Sequence, residues 1–214
     1  MFVTNCLLVS ILFQNRNNHH SVHALKICVA GGTGNLGKLL ASKLQDRHDV
    51  TILSRNAYLA SSPSRVTETF GWLGKAFLEQ NPHVNVRDWD GGDLLDIVGN
   101  DWLGWQDTLA EAHVIINLVG GYTNQRVMAT ERIVRESMTF NPTALQVMVS
   151  PRTIDDLKIL SPGATSMKWD RLQKCEDMVK HNCIRYNCLR LEANLLDHSC
   201  NEIVKAIDEE PVVS

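Results

Sequence analysis

The glycine-rich segment 31–37 (GGTGNLG) constrains the fold more than any other feature of the chain. It follows the short apolar run 25–30, which predicts a buried parallel strand. From residue 35 to about residue 45, leucines recur at helical spacing, and a second apolar run occupies residues 50–53. A strand, a glycine turn, a helix and a second strand within about 30 residues make one βαβ unit. The sequence therefore predicts that this segment opens a parallel α/β sheet.

The rest of the chain alternates between strand and helix patterns. We expect further strands at 84–86, 113–120, 144–149 and 186–191, and helices near 70–78, 107–112, 127–138, 169–181 and 203–207. Irregular connections are expected over 88–104 and 152–166, the second with a turn at 161–163. This alternation predicts a doubly wound parallel sheet, a three-layer α/β/α Rossmann fold. We assign it to a single domain over 25–207, with little or no C-terminal substrate domain and a tail at 208–214.

Residues 1–24 have a different pattern. The apolar run 6–13 is too short to span a bilayer as a helix. Val22 and Ala24 suit a signal-cleavage site, but no Lys or Arg precedes the apolar run. Two interpretations stay open, a targeting leader and a disordered extension. We expect a soluble intracellular protein without a membrane span, in the cytoplasm or, with a real leader, in an organelle.

Charge and cysteine content argue against several classes of partner. A net charge of −3 and a pI near 6.2 give no electrostatic basis for nucleic-acid binding. None of the six cysteines is spaced as C-x-x-C, which favours free thiols over a metal site. The acidic segment 88–96 contains Gly91 and Gly92, which break the calcium-loop pattern, so no metal is expected. Three tryptophans are expected to pack against the sheet rather than to line a pocket: Trp89, Trp102 and Trp105.

The glycine segment itself indicates phosphate binding. Gly31 permits the tight turn, Gly34 lets the backbone approach a pyrophosphate without a Cβ clash, and Gly37 allows close contact between helix and sheet. The unpaired N–H groups of the first helical turn then point at the phosphates, aided by the helix dipole. We assign the whole segment to the cofactor: Gly31, Gly32, Thr33, Gly34, Asn35, Leu36 and Gly37.

The end of the second strand indicates which dinucleotide is bound. Ser54, Arg55 and Asn56 stand where an acidic residue would favour NAD. Arg55 can bind a 2′-phosphate bidentately, which predicts NADP(H), with NAD(H) as the alternative. The other interpretation of Arg55 is an exposed loop charge.

The fourth strand ends at the carboxyl edge of the sheet, outside which ligands bind in this fold. Its last residues are expected to lie beside the nicotinamide ribose: Leu118, Val119 and Gly120.

The spacing G-x-x-G-x-x-G resembles the short-chain dehydrogenase/reductase superfamily, particularly its extended and atypical branches similar to nucleoside-diphosphate-sugar epimerases. The similarity covers most of 25–195 and rests on the glycine segment together with 53–56, 87–91 and 114–120. The resemblance implies that Asp90 lies near the adenine end. It also implies that Ser150 is the Ser/Thr of the fifth strand, our only catalytic candidate.

The chain departs from the family at its catalytic pair, Tyr-x-x-x-Lys. None of the three tyrosines has Lys four residues later, and Tyr122 is followed at that spacing by Arg126. Alignment of the catalytic helix by Glu176 puts Lys168 and Leu172 at the two positions.

Two functions therefore stay open. One is a reductase-like or epimerase-like protein that acts on a small molecule, in which the cofactor delivers hydride and the proton comes from solvent or substrate. The other is a non-catalytic NADP(H)-binding protein with a redox-sensing or assembly-related role. A homodimer is compatible with either.

Overall fold

The structure is a computed structural model that describes residues 24–55, 57, 75–89, 104–120, 122–192 and 194–209. The described strands are β1 (Lys26–Ala30), β2 (Asp49–Ser54), β3 (Val84–Asp88), β4 (Val114–Asn117), β5 (Leu145–Pro151) and β6 (Tyr186–Leu191). The described helices are α1 (Asn35–Leu44), α2 (Lys75–Gln80), α3 (Trp105–Glu111), α4 (Asn124–Phe140), α5 (Ile154–Leu160), α6 (Thr165–Asn182) and α7 (Leu196–Asp208).

All six strands form one parallel sheet in the order β3-β2-β1-β4-β5-β6. The chain adds strands outward from β1 to β3 and then returns to the other side of β1 with β4. This reversal confirms the doubly wound Rossmann fold that the sequence predicts. It also puts the point where the strand order reverses between β1 and β4, and ligands bind at the carboxyl ends of the strands at such a point.

Both faces of the sheet are covered, so its central strands are buried on two sides. β4 is buried at each of its four residues. On one face, α1 and α7 contribute Leu40, Leu44, Ile203 and Ile207 to an apolar layer. On the other face, α3 and α4 contribute Trp105, Leu109 and Ile133. This double burial explains why the β1 and β4 sequences are continuous apolar runs rather than alternating patterns.

One expectation about the connections is wrong. Residues 152–166 are not an irregular loop, because they contain α5 and the first residues of α6. A capping box starts α5: the Thr153 side chain accepts a hydrogen bond from the Asp156 N–H, and the Asp156 carboxylate accepts one from the Thr153 N–H. This pair satisfies two amides that the helix itself leaves unpaired. The expected turn at 161–163 is present, with Gly163 at φ +78°.

The last helix is longer than expected and begins at Leu196 rather than near residue 203. Its buried residues are Ser199, Cys200, Ile203 and Ile207, which lie on one helical face. Small side chains, Ser199 and Cys200, occupy the first buried positions of that face, so a search for large apolar residues misses the first two turns.

Several smaller expectations concern side chains. The five described cysteines are free thiols, and Cys6 lies outside the described residues. Trp89 and Trp105 are buried with their ring centroids 6.1 Å apart, as expected for packing, whereas Trp102 lies outside the described residues. Among the described residues, no helix is long and apolar enough to cross a membrane.

Candidate functional site

The turn after β1 passes directly against the end of β4. Gly31 has φ +75°, a backbone conformation that favours glycine, and its N–H donates to the carbonyl of Leu53 at 3.3 Å. A Cβ on Gly31 would lie 2.8 Å from the N and Cα atoms of Val119. Any side chain here would therefore push the turn and the β4 end apart.

Gly37 is required by the turn rather than by the sheet. A Cβ at this position would lie 2.2 Å from the carbonyl oxygen of Gly32. The first turn of α1 thus packs onto the glycine turn itself, which differs from the helix–sheet contact expected from the sequence. The consequence is a compact loop whose amides are held in one place.

Gly34 has the opposite environment. It is exposed, its backbone is extended (φ −77°, ψ 176°), and a Cβ there would meet nothing within 4 Å. It is the N-cap of α1, yet no side chain among the described residues caps this helix, and its first turn holds no acidic residue. Within the described part of the chain, the N–H groups of Asn35 and Leu36 at this end therefore have no capping side chain. A diphosphate fits this combination of free amides, positive helix terminus and missing Cβ.

The end of β2 contributes one buried and one exposed side chain. Ser54 is buried, and its Oγ atom has no hydrogen-bond partner among the described residues. Arg55 follows as an exposed residue. Asp88, at the end of β3, accepts a hydrogen bond from the N–H of Ala57 at 2.6 Å, which holds the chain close to this edge. The predicted cofactor residues Asn56 and Asp90 lie outside the described residues.

The end of β4 is shaped by Asn117, which the sequence did not single out. Its side chain is buried, donates to Oγ1 of Thr130 at 2.9 Å and accepts from the N–H of Val119 at 3.1 Å. The N–H of Leu118 donates to the carbonyl of Ala30 at 2.9 Å. These bonds hold 118–120 beside the glycine turn after the ladder itself stops at Asn117, three residues earlier than the expected end of the strand.

The end of β5 carries the catalytic candidate. Ser150 is buried, and its hydroxyl lies near the carboxylate of Glu176, whose charged form it helps to stabilise. It pairs in register with Arg190 of β6, whose guanidinium binds Glu176 of α6 with contacts of 2.8 and 3.3 Å. Burial opposes ionisation of Glu176, but Arg190 and Lys180 outweigh it and hold the pKa of this carboxyl below its usual value. Glu176 is therefore a buried anchor between α6 and β6.

The two positions aligned with the catalytic pair hold no free acid or base. The Nζ atom of Lys168 donates to the carbonyl of Ser161 and to its Oγ, both at 2.9 Å, and to the carbonyl of Pro162 at 2.7 Å. Leu172 is buried in the core. Lys168 thus fastens the turn between α5 and α6, and Leu172 has no group that transfers a proton.

A second residue that the sequence analysis did not assign is Arg126, the third residue of α4. It is only 3% exposed and donates to the carbonyls of both Val119 and Val149. Its spacing four residues after Tyr122 does not predict this role, since both carbonyls that it binds lie on other elements.

No protein-family model matches the chain, and no curated protein matches it. Solved structures do match. A UDP-N-acetylglucosamine 4-epimerase from Methanobrevibacter ruminantium M1 is 13% identical with a TM-score of 0.51, over 78% of this chain and 54% of that one. NmrA, a negative transcriptional regulator in complex with NADP, is 13% identical with a TM-score of 0.51, over 78% and 44%. A short-chain dehydrogenase/reductase from Corynebacterium glutamicum, described as putative, is 12% identical with a TM-score of 0.53, over 88% and 93%.

At these identities the likeness establishes the Rossmann fold alone, the fold that the resemblance to the dehydrogenase/reductase superfamily implies. The chain spans about half the length of the epimerase and less than half of NmrA.

Proposed function

We propose that this chain binds a nicotinamide dinucleotide at the carboxyl edge of its sheet, with the diphosphate on the N-terminus of α1. The observation that carries the proposal is the contrast among the three glycines. A Cβ at Gly31 or Gly37 would collide with backbone, whereas a Cβ at Gly34, the residue that precedes the uncapped first turn of α1, would meet nothing within 4 Å. Folding alone therefore accounts for two of the glycines, and we assign the third to a bound anion.

The proposed cofactor is NADP(H), with NAD(H) as the alternative. Arg55 is exposed directly after β2, the strand whose end meets the adenine ribose in this fold. A guanidinium there favours a 2′-phosphate, which a carboxylate would repel. NmrA, one of the structural neighbours, is in complex with NADP, which supports the same class of cofactor.

Arg55→Asp tests this choice. We expect the substitution to weaken NADPH binding by about 2 kcal/mol or more, because it removes a charge-assisted phosphate contact. Isothermal titration calorimetry with NADPH and NADH on both proteins measures the effect. An unchanged preference for NADPH would refute the role of Arg55.

When bound, the cofactor supplies a hydride to a small-molecule substrate. The chain's own residues then bind and orient: 31–37 hold the phosphates, Leu118, Val119 and Gly120 flank the nicotinamide ribose, and Ser150 offers a hydroxyl. Its buried hydroxyl, which lies near the Glu176 carboxylate, can donate a hydrogen bond to a substrate carbonyl. A reductase-like or epimerase-like activity on this scaffold takes its proton from solvent or substrate.

The second candidate is binding without turnover, in a redox-sensing or assembly-related protein. It is favoured by the state of the two aligned catalytic positions, because Lys168 is engaged with the turn at 161–162 and Leu172 is buried. NmrA, a transcriptional regulator that binds NADP, provides a structural neighbour of that general kind.

Incubation of the purified full chain with NADPH and a panel of carbonyl, quinone and flavin acceptors separates the two candidates. Steady NADPH oxidation that Ser150→Ala reduces supports a reductase. Tight binding without oxidation by any acceptor supports the binding protein. Calorimetry that detects neither dinucleotide at millimolar concentration would overturn both.

A further inference from the structure

Arg126 joins two strand ends that the backbone ladder leaves unjoined. The last residue pair between β4 and β5 is Asn117 with Met148. Beyond it, the guanidinium of Arg126 donates to the carbonyl of Val119 on one side and, at 2.8 Å, to that of Val149 on the other. One side chain from α4 therefore takes over where strand pairing stops, at the sheet edge that faces the proposed cofactor.

The electrostatic environment of this side chain is unusual for a purely structural arginine. Arg126 is buried, and within the described part of the chain it forms no ion pair with a carboxylate. The ring of Tyr122 lies 5.2 Å from the guanidinium carbon, and the Nε atom has no hydrogen-bond partner. A buried cation that is held by carbonyls and a ring costs free energy that an apolar side chain would not. Packing alone does not explain a charge at this position.

Arg132, on the same helix, shows the ordinary arrangement. It is also buried, but its Nε atom pairs with Glu136 at 3.1 Å, and its guanidinium lies over the ring of Trp105. The two buried arginines of α4 thus have different kinds of partner. Arg132 is paired within its own helix, whereas Arg126 reaches across to two strands.

If Arg126 moved, Val119 and the glycine turn that it contacts would be displaced as well. Val119, whose carbonyl it holds, has backbone atoms only 2.8 Å from where a Cβ of Gly31 would stand. Close-packed backbone transmits such shifts because it has no free volume to absorb them. The chain of contacts therefore runs from α4 through Val119 to the turn that precedes the uncapped amides.

We propose that Arg126 is a positioning residue of the dinucleotide site, which fixes Val119 and Gly120 against the glycine turn by holding the ends of β4 and β5 together. The inference rests on the proposed cofactor function. It assigns to Arg126 no contact with the reacting atoms. Without the guanidinium that binds both the Val119 and the Val149 carbonyls, the nicotinamide side of the site would lose its shape.

The test compares Arg126→Lys with the matched control Arg132→Lys in the full chain. Both substitutions keep a buried cation and remove the planar fork that binds two acceptors. Hydrogen exchange of the protein without ligand is measured first. We expect the amides of Leu118 and Val119 to exchange at least tenfold faster in Arg126→Lys, with no such change at these amides in Arg132→Lys.

Calorimetry is then performed with NADPH and with adenosine 2′,5′-bisphosphate, which has neither the second phosphate of the diphosphate nor the nicotinamide. We expect Arg126→Lys to weaken NADPH binding about tenfold and to leave binding of the bisphosphate within threefold. Tyr122→Phe keeps the ring over Arg126 and removes only the hydroxyl, so it should bind both ligands like the wild type.

Two results would overturn the proposal, and a third would overturn the proposed function on which it rests. Equal exchange rates and affinities in the two lysine variants would reduce Arg126 to general packing. Equal weakening of both ligands by Arg126→Lys would indicate global destabilisation rather than positioning. A wild-type protein that binds neither ligand would instead overturn the proposed function, and the exchange data alone would then show whether Arg126 holds the strand ends.

Discussion

Replacement of Gly34 by aspartate should separate stability from binding at the proposed phosphate site. Gly34 has extended backbone that any residue adopts, and a Cβ there would meet nothing within 4 Å. Aspartate is among the best N-cap residues, because its carboxylate accepts bonds from the first-turn amides. In Gly34→Asp the protein's own carboxylate would thus take the amides that we assign to the diphosphate.

The two effects have opposite signs and different sizes. Capping and the helix dipole should raise the free energy of unfolding by about 0.5 kcal/mol. Two unit charges about 4 Å apart repel by about 4 kcal/mol at an effective dielectric constant of about 20. Gly34 is exposed, so we halve this value for solvent screening, to about 2 kcal/mol. NADPH affinity should therefore fall about 30-fold, since each 1.4 kcal/mol is a factor of ten.

The assay is calorimetric titration of NADPH combined with thermal unfolding of the same samples. Gly34→Asn is the matched control, because it has the same shape and capping ability without the charge. It should bind NADPH more tightly than Gly34→Asp. An aspartate variant that is folded, at least as stable as the wild type and unchanged in NADPH affinity would refute the assignment of these amides to a phosphate.

Three further predictions concern stability. Burial, with the charge of Arg47, lowers the pKa of His48 below its ordinary 6.5, so the folded state favours the neutral ring. The stability that depends on the neutral ring is fully present above about pH 6.5 and is lost as the pH falls through the lowered pKa of the folded state. Denaturant titrations at several pH values should show the free energy of unfolding falling over this range in the wild type, and falling less in His48→Gln. Thr153→Ala, which removes the cap of α5, should cost about 1 kcal/mol in urea unfolding, and an unchanged midpoint would contradict the capping-box interpretation. Glu176→Gln replaces a buried carboxylate whose partner Arg190 is 42% exposed, so solvent screens the charge left behind and the substitution should cost about 1 kcal/mol, whereas substitution of the exposed Glu209 should cost almost nothing.

Local signals in the sequence were sufficient for the framework of the site. The glycine spacing after an apolar run predicted the turn between β1 and α1, and the helix begins at Asn35 as expected. Gly31 needs its positive φ because the chain turns tightly between β1 and α1, and the strand–turn–helix pattern of the sequence already predicts that turn. The alternation of short apolar runs and amphipathic segments was enough for the doubly wound topology, since parallel strands require such crossovers.

Even some local features were missed. The capping box of α5 was readable as Thr153 followed three residues later by Asp156, but the apolar periodicity of this short helix is weak. Ser199 and Cys200 begin the buried face of α7, and small side chains give little hydrophobic signal. In both cases the helix is stabilised by contacts that a count of large apolar residues does not register.

By itself, the sequence determined which segments become strands and helices and where the backbone must turn, because these depend on residues within one or two turns of each other. Only the tertiary structure decided what the polar side chains do. Arg126 meets Val149, 23 residues away, because two strands end side by side beneath one helix. Glu176 binds Arg190, 14 residues away, because α6 packs against β6. The packing of the sheet decides which strand ends and helices lie close together, and this decides which groups a long side chain can reach. No short-range pattern in the sequence contains that information.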